Sequence, residues 1–223
     1  MLYVRKDEKA DMETSFFSIL ILGFLLGIKH ALEPDHIIAV STIASKSKKL
    51  WRSSLAGVYW GIGHTLTLFI FGMILMVLKS RISERMSMSL EFLVGIMLVY
   101  LGFTSFLSYK KQVHTHHEKT SYLKSLGIGF VHGLAGSAAM VVLTMSTVTH
   151  VWQGALYIII FGIGTCLGML LFTTVIGIPF VTTKKQVTLN RCLLQVTGAV
   201  SIIFGLYYMY NLGVSDGLFS LWF

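Results

Sequence analysis

Lys29-His30-Ala31-Leu32-Glu33-Pro34-Asp35-His36 stands between two apolar runs, Phe16 to Ile28 and Ile37 to Ala44. Five ionisable side chains therefore interrupt what would otherwise read as one membrane helix. Each is costly in hydrocarbon, and ionisable groups inside spans face a protein interior or an aqueous path. The run from 16 to 44 is also too long for one perpendicular helix, because 28 steps of about 1.5 Å reach roughly 42 Å, against about 30 Å of hydrocarbon. Pro34 predicts where it breaks: its ring removes the amide that would bond to the His30 carbonyl and clashes with that turn. Broken helices at membrane depth line cavities, and transporters build ion sites from them.

The remaining composition agrees with a chain dissolved in lipid. Hydrophobic residues make up 54% and charged residues 13% of 223, and the mean hydropathy is +0.73. A net charge of +8 would suggest nucleic acid in a soluble protein. Here the basic residues lie in short segments between apolar runs and read as orientation signals, so no nucleic-acid partner is expected. Cys166 and Cys192 form no CxxC pair, which excludes a disulfide relay and leaves both as small packing residues. The mixed-charge stretch Arg5 to Glu13 and the lack of a small-residue cleavage site after the first apolar run argue for a retained span.

Spans long enough to cross the bilayer are drawn at about 16–44, 53–78, 88–109, 122–146, 150–177 and 189–211. The fold expected is an all-α integral membrane protein with six transmembrane helices. The first three spans match the last three at a nearly fixed offset. Shifted by 102, Gly27, His30, Leu32, Val40 and Thr42 fall on Gly129, His132, Leu134, Val142 and Thr144. Shifted by 101, Gly61, Ile62, Gly63, Leu66 and Phe71 fall on Gly162, Ile163, Gly164, Leu167 and Phe172. An odd number of spans per copy turns the second copy over. The chain 1–223 is thus read as a single transmembrane domain with an inverted 3+3 repeat: repeat one at about 16–109, a His-containing loop at 110–121, and repeat two at about 122–211.

Loop charges set the orientation. Lys46, Lys48, Lys49, Arg52, Lys110, Lys111, Lys119, Lys124, Lys184, Lys185 and Arg191 fall on one side; Arg5, Lys6, Lys9, Lys79, Arg81 and Arg85 fall on the other. The positive-inside rule places the larger set in the cytoplasm and both termini outside the cell membrane. Trp51, Trp60 and Trp152 lie near span ends and read as interfacial anchors.

Candidate ligands follow from donor chemistry. His30, Asp35 and His36 supply two imidazoles and a carboxylate at the break. His64 on span two and His132 on span four add further imidazoles in apolar surroundings. Imidazole with carboxylate suits late first-row divalent ions, and the absence of thiolates argues against Cu(I) and closed structural zinc sites. Lys29, Glu33, Thr65 and Ser137 are placed around the site or along its path, with Lys29 expected to pair with Glu33 or Asp35. The loop His114-Thr115-His116-His117 is a weak metal-binding tract.

Lys29 to Ile37 resembles the HAxxxDH motif of the nickel/cobalt transporter superfamily, and Gly63-His64-Thr65 is similar to its second-span GHS/GHT motif. His132-Gly-Leu-Ala-Gly-Ser137 looks like the UreH-like branch of urease-accessory nickel permeases. The resemblance implies Ni²⁺ uptake, with Co²⁺ as a second cargo, supply of nickel to urease or another nickel enzyme, and contact with nickel-enzyme maturation proteins. It implies no prosthetic group; Ni²⁺ or Co²⁺ is substrate. The superfamily also contains exporters, which leaves export for metal resistance as the alternative. A membrane-embedded metalloenzyme with Glu33 as base is the reading from another class, and it lacks any HExxH pattern. No GxxxxGK[ST] motif is present, so transport is expected to be secondary or to depend on another chain.

Overall fold

The structure is a computed structural model describing residues 4–47, 49–78, 82–112, 122–148 and 150–222; side chains at 4–15, 108–112, 137–139, 141–143 and 145–147 are outside the description. The described residues are helical, with no strand among them. α1 (Val4–His30) and α2 (Pro34–Ala44) meet at a break of 58°. Then come α3 (Leu50–Val77), α4 (Glu84–Gln112), α5 (Tyr122–Thr147), α6 (Val151–Thr182), α7 (Val187–Tyr210) and, after a π-helical turn at Asn211–Ser215, α8 (Leu218–Trp222). α1 starts well before residue 16, because the mixed-charge stretch Arg5 to Glu13 is rich in good helix formers. α6 runs on through Pro179. The tract His114 to His117 and the side chain of Ser137 lie outside the description.

The break is stitched by local backbone bonds. Pro34 takes the first position of α2, where a missing amide costs nothing. The carbonyl it would have served is not left free: the Glu33 amide donates to His30 O at 3.1 Å, and the Leu32 amide to Lys29 O at 2.9 Å.

α3, α4, α6 and α7 are each long and apolar enough to cross a membrane, and the bent pair α1–α2 makes a fifth such segment. α5, at 26 residues, has the length to cross as well. It buries Ser125, His132, Ala135 and Met140. Outside the bundle, Leu171, Val175 and Ile203 are exposed, as side chains of a lipid-facing surface are.

Close helix approaches recur at the offset seen in the sequence. Gly27 faces the Phe161 carbonyl, and Gly129 faces the Trp60 carbonyl; Gly164 faces Phe24 O, and Gly63 faces Leu126 O. α1 and α6 therefore run parallel in contact, as do α3 and α5, while Gly102 against Gly198 and Gly95 against Gly205 hold α4 and α7 antiparallel. Small residues permit such approaches, and hydroxyls fasten them: Thr67 Oγ1 donates to Phe130 O at 2.7 Å, and Ser201 Oγ to Leu98 O at 2.8 Å. A Cβ at Gly27 has no room beside the Phe161 backbone, whereas one at Gly127 meets nothing within 4 Å. Gly27→Ala is expected to lower stability by about 1–3 kcal/mol through overpacking, and Gly127→Ala to be neutral within about 0.5 kcal/mol or mildly stabilising. Unfolding midpoints of the two variants in detergent check this.

Candidate metal centre

The break delivers His30 and His36 to one point. On a continuous helix they would diverge; across the turn their ring centroids are 4.3 Å apart. α3 brings His64, whose Nε2 lies 3.1 Å from His30 Nε2, so that one ring donates and the other accepts. α5 brings His132, whose Nε2 donates to Asp35 Oδ2 at 2.8 Å. His36 and His132 have centroids 4.3 Å apart. All five residues singled out as ligands in the sequence therefore share one cluster.

Two overlapping sets of donors result. One donor atom from each of His30, His36 and His64 lies within 4.8 Å of the others, and the same is true of Asp35, His36 and His132. His36 belongs to both. Its Nδ1 meets Asp35 Oδ1 at 3.1 Å as an ion-pair contact, and neither of its nitrogens makes a hydrogen bond. His64 Nδ1 and His132 Nδ1 are likewise buried and unpartnered. His36 and His132 are 2% exposed and His64 is fully buried. An orphaned buried polar atom costs on the order of 1–3 kcal/mol, and such atoms gathered in one place call for a ligand. Neutral imidazole nitrogens are donors suited to late divalent transition metals.

Trp60 closes the cluster from α3. It is fully buried, stacks on His64 at 5.0 Å with planes 10° apart, and meets His36 and His132 edge-on. The interfacial-anchor expectation for Trp60 is thus wrong: residues four apart on a helix share a face, and that places it over His64. Phe161 flanks His30 at 5.3 Å.

The surrounding residues divide. Glu33 pairs with His30, Oε2 to Nδ1 at 2.9 Å. Lys29 lines the same cavity, but among the described residues the ion pairs of Glu33 and Asp35 run to imidazoles, so the pairing expected for Lys29 is absent. Thr65 points away, against Gly162 of α6. His150 is the N-cap of α6, its amide bonded to Gln153 Oε1 at 3.2 Å. Cys192 is exposed, not packed inside. A cavity of about 380 Å³ reaches the cluster and is also lined by Glu91 and Tyr208, neither of which the motif search singled out.

Comparison with known proteins bears on what the cluster is for. Residues 16–107 match the family model of high-affinity nickel-transport proteins. The chain is 58% identical over 224 residues to the urease accessory protein UreH of Bacillus sp. (strain TB-90), covering 94% of this chain and 98% of that protein. It belongs to the nickel/cobalt transporter family, on the UreH-like branch. A putative nickel/cobalt efflux system of Methanocaldococcus jannaschii is 28% identical over 200 residues, 84% of this chain and 90% of its own. The chloroplast protein FOR GROWTH AND FERTILITY 1 of Arabidopsis thaliana is 30% identical over 82% of this chain and 56% of its own length. No solved structure matches. As a member of this family with these apolar helices, the chain is an integral membrane protein.

Among the described residues, His132 Nε2 has Asp35 Oδ2 as its hydrogen-bond partner. Asp35→Ala is expected to lower metal-free stability by about 1–3 kcal/mol by orphaning that nitrogen. Lys29→Ala, which removes no ion pair, is expected to stay within about 0.5 kcal/mol of the intact chain. Unfolding midpoints in chelator-treated detergent solution separate the two.

Proposed function

We propose that this chain is a permease that carries Ni²⁺, with Co²⁺ as a second cargo, into the cell and so supplies urease or another nickel enzyme. The observation that carries the reading is the meeting of His30, Asp35, His36, His64 and His132 with buried, unpartnered imidazole nitrogens inside a member of the nickel/cobalt transporter family. The family is one of nickel-transport proteins, so the chain is a carrier and not an enzyme. Its cargo binds as substrate. The name of the Bacillus relative supports the link to urease maturation.

The scaffold is six spans in an inverted 3+3 repeat, with repeat one at about 16–109 and repeat two at about 122–211. The recurring approaches Gly27–Phe161 and Gly129–Trp60 support it, because each residue of one pair maps onto the other at the sequence offset. The basic loops face the cytoplasm and both termini face outward. In that orientation the cavity at the cluster runs toward the outer face, where α4 begins and α7 ends.

An ion entering there exchanges water for imidazole. His36 serves both donor sets, so a small displacement trades Asp35 and His132 for His30 and His64 without releasing the ion. Binding of this stepwise kind is strong enough to admit an ion and divided enough to let it leave.

Uptake of radioactive nickel by cells making the intact chain tests the reading, with cobalt and zinc as competitors. Cells are expected to accumulate nickel, and His36→Ala and Asp35→Asn to reduce accumulation at least ~10-fold at normal membrane levels. Lowered cellular nickel would reverse the direction to export. No metal movement by the intact chain would sink the transport reading.

A further inference from the structure

We infer that Glu91 is the outer docking ligand, the oxygen group that a hydrated divalent cation meets before the imidazoles. The inference rests on the permease reading and extends it to how the ion arrives. Glu91 lies seven residues into α4, about 10 Å along the helix at ~1.5 Å per residue. Tyr208 lies two residues before the end of α7. In the proposed orientation both sit toward the outer face, on the cavity that His36 and His132 also line.

The surroundings of Glu91 leave its carboxylate oriented but not consumed. Ser87 Oγ donates to Oε1 at 3.4 Å and Tyr208 Oη to Oε2 at 3.5 Å, both long contacts from neutral groups. Among the described residues it has no ion pair, although Lys29 lines the same cavity. A carboxylate inside an apolar span is expensive and faces water or protein; this one faces the cavity. With Glu33 and Asp35, three carboxylates oppose the single ammonium of Lys29 along the walls. A cleft lined by one sign of charge concentrates counter-ions.

The direction of the path is independently marked. His36 lines the cavity at 2% exposure with neither ring nitrogen in a hydrogen bond, so the cavity reaches imidazole donors. Oxygen donors come first and nitrogen donors last. Carboxylate and hydroxyl oxygens hold hard divalent ions that keep much of their water, whereas imidazoles favour late transition metals. Glu91 thus captures ions with little selectivity, and the cluster behind it selects.

Stopped-flow quenching of tryptophan fluorescence by Ni²⁺, with purified chain in lipid nanodiscs, tests this. Glu91→Gln is expected to slow nickel association about 10-fold and to change dissociation less than twofold; Glu91→Asp should keep most of the association rate. Millimolar Mg²⁺ should slow association to the intact chain and leave Glu91→Gln unaffected. Equal association rates for intact chain and Glu91→Gln overturn the inference, as does a loss confined to faster dissociation. Should Glu91→Gln fail to fold, the intact chain decides: association indifferent to Mg²⁺ overturns the docking role. If the intact chain binds no nickel at all, the permease reading fails and takes this one with it. If it binds nickel and Glu91→Gln matches it, only the role of Glu91 falls.

Discussion

A proline placed between two halves of a membrane helix is the constraint on which the structure depends. Hydrocarbon offers backbone groups no partners, so a helix can be interrupted there only if protein shields the interruption. Pro34 forces the interruption, and a tight turn contains it: Glu33 and Leu32 amides take the carbonyls of His30 and Lys29. Ala31, at the centre of the turn, is fully buried. The 58° bend has one chemical consequence. Residues 30 and 36, which an unbroken helix would point in different directions, meet edge to face with ring centroids 4.3 Å apart.

Crowding four imidazoles costs free energy, and the fold accepts that cost in identifiable ways. Asp35 satisfies one nitrogen of His132, and Glu33 one of His30. Trp60 lies flat against His64, giving the ring an aromatic face where no polar partner exists. The scaffold holds the rings in place through backbone contacts at Gly27 and Gly129, which leave α1 against α6 and α3 against α5 little freedom to separate. Such pre-organisation matters because a site loosened by an ångström loses its geometry. Among the described residues, the imidazole nitrogens left without a hydrogen bond are on His36, His64 and His132.

Much of this was legible in the chain, for physical reasons. Ionisable groups in an apolar run have few explanations, and a proline among them has fewer; the break and its His and Asp residues follow. His64 and His132 were legible because imidazoles in spans are costly. Trp60 was missed because nearness to a span end suggested an interface, although its spacing of four from His64 carried the better signal. Glu91 was missed for a similar reason. Seven residues after the start of α4, it reads as a helix-end acid until α7 supplies Tyr208 across the cavity. The pairing of Lys29 failed because imidazoles compete for carboxylates at shorter reach than a flexible ammonium. Such long-range preferences depend on which helices touch, and linear spacing does not encode that.

The repeat legible in the sequence carries chemistry that is not repeated. His30 has a counterpart in His132, but Asp35 and His36 fall on Ser137 and Ala138, and His64 falls on Thr165. The match to the nickel-transport family model covers residues 16–107, the stretch that holds every candidate ligand except His132. A site built equally from both copies would present the same donors toward each face of the membrane. This one is lopsided: Glu33, Asp35 and Glu91 line the cavity, while His64 stacks on Trp60 outside its lining. Under the proposed transport reading, an ion crossing it passes from oxygen toward nitrogen ligands. Under the proposed inverted repeat, the two halves would offer similar packings while the asymmetric ligands distinguish the directions of travel.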